Sequence, residues 1–304
     1  MNALLSELGK SLATRWLSYL MPTGLLFLGA AGTGLVLGHA RWYDLPAVAD
    51  RLDAWASGPD ERALGAGLAV AAGIVLLATA VGLLVRALGT VVDRIWLGTW
   101  PRGARRLATG LTERRRARWA AADQRVREAW RQHAARRALT GASDPDDRTP
   151  ALRIAERDRV CLVPPGHPTW IGDRVAATDQ RILATYGLDL AAAWPRLWLV
   201  CPEETRAELR TARRGYDAAT QLVAWSPLYL ALAVWWWPAL LIAATTLVVG
   251  VRRGRAAMDT FCWLAESVVD LHGRDLATAL GLSCSGPLYP ETGRRVTARL
   301  RKDR

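Results

Sequence analysis

Three stretches of this chain carry no Asp, Glu, Lys or Arg, and they constrain its fold more than any other feature: Trp16 to Ala40, Ala63 to Val85, and Ala218 to Val251, of 25, 23 and 34 residues. A helix at a soluble surface needs a polar face, whereas the hydrocarbon core of a bilayer, about 30 Å thick, takes about 20 apolar helical residues. The first two runs therefore predict one membrane helix each. The third would reach about 51 Å as a straight helix, too long for one crossing. A break at Trp235-Trp236-Trp237-Pro238 leaves two arms of about 20 to 25 Å, with proline interrupting the helix and indoles suited to the membrane–water interface. The expectation is a tight helical hairpin.

Charge supplies the orientation. Arg41 to Arg62 reads as an acidic loop, with Asp44, Asp50, Asp53, Asp60 and Glu61 against three Arg. The segment Arg102 to Arg137 holds twelve Arg against Glu113, Asp123 and Glu128, and so carries +9 of a formal net charge of +12. Basic residues stay on the cytoplasmic side. The acidic loop is then outside, and both termini and the basic segment are inside. Arg252, Arg253 and Arg255 mark the inside again. The run from Trp16 is too long for the core of a secretory signal, and Leu4, Leu5, Leu8 and Leu12 ahead of it predict an amphipathic interfacial helix.

These readings define five consecutive segments. Residues 1–15 form the interfacial helix, 16–100 a two-helix membrane unit, 101–217 the cytosolic region, 218–258 the membrane hairpin, and 259–304 a cytosolic helix with a solvated basic tail. The fold class is all-α: an integral membrane protein with four membrane-embedded helices and a mostly helical cytosolic region. Within that region Thr112 to Leu139 contains no Pro or Gly and reads as one helix, with Trp119, Ala122, Val126, Trp130 and His133 as its apolar stripe. This helix fits either a seat on anionic lipid headgroups, with Trp119 and Trp130 as interfacial anchors, or packing on another helix, and nucleic-acid binding is the weaker reading because juxtamembrane Arg follows from topology alone. Thr140 to Pro150 reads as a linker.

The most specified stretch is Pro164 to Val200. Pro164, Pro165 and Pro168 give an extended approach, Asp173 to Tyr186 has helical spacing, and Gly187 stands where a helix ends in a left-handed residue. Asp189 caps a second short helix that Pro195 ends. The order Pro168-Thr169-x-x-Gly172-Asp173, Tyr186-Gly187-x-Asp189, Trp194-Pro195-Arg196-Leu197-Trp198 resembles an uncharacterised family of bacterial, actinobacterial-like multi-pass membrane proteins. That family usually carries Asn where this chain has Asp173. The resemblance implies an integral protein of the bacterial inner membrane with a cytosolic middle, and no activity.

His167, Thr169, Asp173, Arg174, Asp179 and Arg181 form the one polar cluster. They lack the nucleophile–base pattern of a hydrolase and the close ligand spacing of a metal site, and Cys161, Cys201, Cys262 and Cys284 are scattered. No catalytic residue, cofactor or metal is expected. Thr169 and Asp173 suit helix caps, while Arg174, Arg196 and Trp198 suit contacts to a cytosolic protein partner. Small residues at Ala30, Gly34 and Gly38, and at Gly65, Ala69 and Gly73, allow close helix packing within one protomer or in a homo-oligomer. Two functions fit: a non-enzymatic membrane scaffold or sensor adaptor, and a pore-forming oligomeric effector.

Overall fold

The computed structural model describes residues 22–40, 42–56, 63–140, 148–284 and 286–302. The expected interfacial helix over 1–15, the start of the first apolar run and linker residues 141–147 lie outside them. All regular structure among the described residues is helical. In chain order these are α1 (Pro22–Leu37), α2 (Leu45–Ala56), α3 (Ala63–Trp96), α4 (Arg105–Thr140), α5 (Thr149–Val160), α6 (Trp170–Tyr186), α7 (Leu190–Val200), α8 (Glu203–Leu232), α9 (Pro238–Ala279) and α10 (Pro290–Arg301).

Several boundaries differ from the expectations. The acidic stretch is not all loop: Asp44 accepts from the Ala47 amide at 3.4 Å and Pro46 sits in the first turn, so α2 starts there. α3 continues past the uncharged run and stops at Gly98, whose φ of +83° lets the Thr99 amide reach back to the Arg94 carbonyl at 2.9 Å. Thr149 and Pro150 belong to the first turn of α5 rather than to a linker. α6 begins at Trp170, three residues early. Pro195 lies inside α7, which runs on to Val200. The break between α8 and α9 falls at the three tryptophans, where the Trp235 and Trp236 amides both donate to the Leu232 carbonyl and Pro238 opens the next helix.

The chain forms two compact units: residues 1–92 with 218–252, and residues 93–217 with 253–304. The two-helix segment and the hairpin thus fall into one unit. In it α1 meets α3 so closely that a Cβ on Gly24 would lie 2.3 Å from the Ala78 carbonyl oxygen. Phe27 packs on Trp225 and Tyr229. The paired arms of α8 and α9 run antiparallel, with Ser226 Oγ donating to the Ala243 carbonyl at 3.0 Å and Gly250 facing Val223. Gly34 faces Trp236, whereas Gly73 has open space around it. The outside of this unit is apolar: Leu26, Leu68 and Leu76 are 71%, 72% and 71% exposed, and Ile74, Leu77, Leu241 and Val248 join them. Among the described residues one helix, α3, is long and apolar enough over Gly67–Trp96 to cross a membrane.

The second unit has a conventional interior. Leu188, Leu197, Leu209, Val268, Val269, Leu276 and Val296 form its main core. Ile171, Tyr216, Met258 and Cys262 form a smaller one. α4 packs on α5 through Ala122, Val126 and Ala129. The C-terminal tail is not solvated: α10 docks against α6 and α7 with Val296 1% exposed. Its basic sequence hides this because the buried contact is made by one face, with Gly293, Val296 and Thr297 at its centre and Leu300 beside them, while most of its arginines stay exposed.

Candidate functional site

Three sets of contacts fasten the Pro164 to Trp198 region, from α3 with α4, from α9 and from α10, and each uses a different part of the motif. The hydroxyl of Thr169 accepts from the Gly172 amide at 3.1 Å, capping α6, and donates to the Trp96 carbonyl at the end of α3. Asp173 does not cap in that sense. Its carboxylate is 1% exposed and folds back to accept from the Gly166 and His167 amides at 2.8 and 2.7 Å, and from Arg115 at 2.8 Å. It sits in the first turn of α6, where negative charge is favoured. From α4, Arg116 donates to the Pro165 carbonyl at 2.7 Å and Trp119 to the Cys161 carbonyl at 2.9 Å. The extended approach is therefore held by a row of α4 side chains. Trp119 is half-buried in this contact, while Trp130, off the packed face, is 51% exposed.

The second fastening overturns an expectation. Arg174, expected at the surface, is 2% exposed. Its guanidinium donates to Asp259 at 2.6 Å, to Thr178 at 2.7 Å and to Glu266 at 3.3 Å, and Arg181 also pairs with Glu266. Both arginines lie over the Trp263 ring, 5.7 Å from its centroid. A cation in the interior needs such partners. The two carboxylates come from α9, 85 and 92 positions away, which no local pattern announces.

The third fastening explains Tyr186-Gly187-x-Asp189. Gly187 has φ +64° and ends α6 as expected, and its missing side chain lets the Pro290 carbonyl approach, since a Cβ would lie 2.5 Å from it. Thr297 of α10 donates to the Gly187 carbonyl at 3.1 Å and accepts from the Asp189 amide at 3.0 Å. Asp189 caps α7 by accepting from the Ala192 amide at 3.2 Å and also pairs with Arg301, whose hydrogen bonds hold its carboxyl below the usual range. Tyr186 donates to Asp270 at 2.7 Å, which pushes its phenol up.

Between α6, α7 and α9 this framework leaves a cleft of about 590 Å³. Val175 and Ala176 of α6, Leu190, Trp194 and Pro195 of α7, and Phe261 of α9 make it apolar, and His167, Thr178, Asp179 and Cys262 add polar atoms. Trp194 packs on Trp198 and Phe261, so the expected contact residue Trp198 is half-buried. Arg196 is exposed on the outer side of α7. Burial pushes the Cys262 thiol up, which keeps it protonated and weakly nucleophilic. Burial raises Asp179 as well, with the Asp189 carboxylate adding to it. A volume of about 590 Å³ with a mostly apolar lining falls in the range of small-molecule clefts.

Of the sequence-predicted residues, the structure gathers His167, Asp179, Trp194 and Pro195 at the cleft and places Thr169, Asp173, Tyr186, Gly187 and Asp189 in its frame. Trp235, Trp236 and Trp237 lie in the other unit, at the break between α8 and α9. Arg115, Asp259, Glu266 and Thr297 were not legible. Among the described residues no three His, Cys, Asp or Glu side chains gather as metal ligands. Comparison with known protein families, curated proteins and solved structures finds no match to this chain.

Proposed function

We propose that this chain is a multi-pass protein of a bacterial inner membrane in which the unit built from 1–92 and 218–252 lies in the bilayer. The other unit is then a cytosolic sensor or adaptor module with no enzymatic role. One observation carries the reading: the first unit turns leucine, isoleucine and valine outward, as a lipid-facing surface does and a water-facing one does not. The unit boundaries, near Asp93, Asp217 and Arg252, support it because they fall close to where charge returns to the sequence. Trp42 set edge-to-face against Trp237, with ring centroids 5.1 Å apart, supports an aromatic belt at the outer ends of the helices. The four embedded helices are the first apolar run, α3 and the two arms of α8 and α9, with both termini cytosolic.

In this reading the α6–α7 elbow, fixed to α4, α9 and α10, holds a recognition surface in one conformation. Exposed Arg196 and Leu199 on α7 are the residues offered to a protein partner. A membrane-impermeant maleimide applied to intact cells tests the topology: Gly58→Cys should label, and Ser143→Cys and the unsubstituted chain should not. Labelling at Ser143→Cys reverses the orientation. Purification from the native host tests the adaptor role. A partner should be retained by the unsubstituted protein and lost with Leu199→Asp, while stepwise conductance in planar bilayers would favour a pore.

A further inference from the structure

The carboxylates around the cleft are almost all neutralised. Asp173 has Arg115, Asp259 and Glu266 have Arg174, Glu266 also has Arg181, and Asp189 has Arg301. Asp179 is the exception: among the described residues no cation lies within ion-pair distance of it, and only the Leu190 amide approaches its carboxylate. This is unexpected in a chain with 40 basic residues against 28 acidic ones. Arg181, two positions along the same helix, turns to Glu266 and Trp263 instead. Asp179 also lines an apolar cavity, where an unpaired charge is costly unless something complements it.

We propose that the cleft is a binding site for a lipophilic amine, with the ammonium group on the Asp179 carboxylate and the apolar body against Trp194 and Phe261. The chemistry selects this class. An anion would meet Asp179 with no arginine lining the cleft, and a purely apolar molecule would cover the half-buried carboxylate without pairing it. A cation gains a charge-assisted hydrogen bond, with aromatic rings nearby to favour it further. The volume of about 590 Å³ accommodates a drug-sized molecule. The inference rests on reading the second unit as a sensor module and names what it senses.

The test uses the full-length protein in lipid nanodiscs, with empty nanodiscs as the partition control, and three matched probes: 4-phenylbutylamine, 4-phenylbutan-1-ol and 4-phenylbutyrate. Equilibrium dialysis should give saturable binding of the amine, tighter than the alcohol by at least about tenfold, as a hydrogen bond to a charged group supplies. The butyrate should be weakest. Asp179→Asn should bring the amine down to the level of the alcohol, and Ala191→Phe, which fills the cleft, should abolish binding of both. Equal binding of the three probes by the unsubstituted protein overturns the proposal, as does an amine preference that survives either substitution. The cysteine-labelling experiment reports on the membrane reading separately, so either can fail without the other.

Discussion

Replacing Gly293 with alanine sets two effects of opposite sign against each other. Gly293 lies inside α10, and helix propensity alone favours Ala over Gly by about 1 kcal/mol. The tertiary contact opposes it, because a Cβ there would lie 1.8 Å from the Tyr186 carbonyl oxygen and 2.9 Å from its carbon. A backbone carbonyl cannot rotate aside, so α10 must retreat by more than an ångström. Overpacking of this kind costs about 1 to 3 kcal/mol. The upper end applies here because the retreat also pulls at Val296, 1% exposed, and at both Thr297 hydrogen bonds. The net expectation is a loss of about 2 kcal/mol in the docking of α10. Gly110→Ala is the control: Gly110 is inside α4 with nothing within 4 Å of a Cβ, so that variant should gain about 1 kcal/mol. Amide hydrogen exchange across 290–301 reads the result directly, since 2 kcal/mol of local docking is roughly a thirtyfold change in protection. Unchanged or increased protection of α10 in Gly293→Ala would refute the argument that this helix is seated on the Tyr186 carbonyl.

Arg174→Ala should cost about 3 kcal/mol, the low end for breaking a buried pair, because Glu266 keeps Arg181 and Asp259 is 44% exposed and can be hydrated. Arg196→Ala should stay within about 0.5 kcal/mol, and denaturant unfolding compares the two. Asp179→Asn should raise the thermal midpoint at neutral pH. A carboxyl whose folded pKa is raised loses stability as pH rises from the ordinary aspartate range through the folded pKa, so the gain should shrink on acidification and vanish below the ordinary aspartate range. Asp189 has the opposite sign: its depressed carboxyl contributes stability above the ordinary aspartate range, lost as pH falls through the folded pKa. Arg301→Gln should therefore flatten the acid limb of the stability–pH curve.

The helices themselves were largely legible in the sequence. Uncharged runs, the Trp-Trp-Trp-Pro break, the Gly187 stop and the Asp189 cap act over a few residues, so the local order of side chains determines them. The long α4 was legible for the same reason, since nothing in it stops a helix. What the polar residues of the motif do was not. Arg174 looked like a contact residue because every charged residue on a helix looks exposed until a partner is known, and its partners on α9 lie some ninety positions away. Asp173 looked like a cap and instead accepts from a loop bent back over it and from Arg115 on another helix. The basic tail looked solvated because Gly293 carries no side chain to signal a contact made by its backbone. Local propensity decided most of the helices, whereas only tertiary contact, which depends on residues distant in sequence meeting in space, decided which charges are buried and that, among the described residues, Asp179 at the cleft has no cation in ion-pair reach.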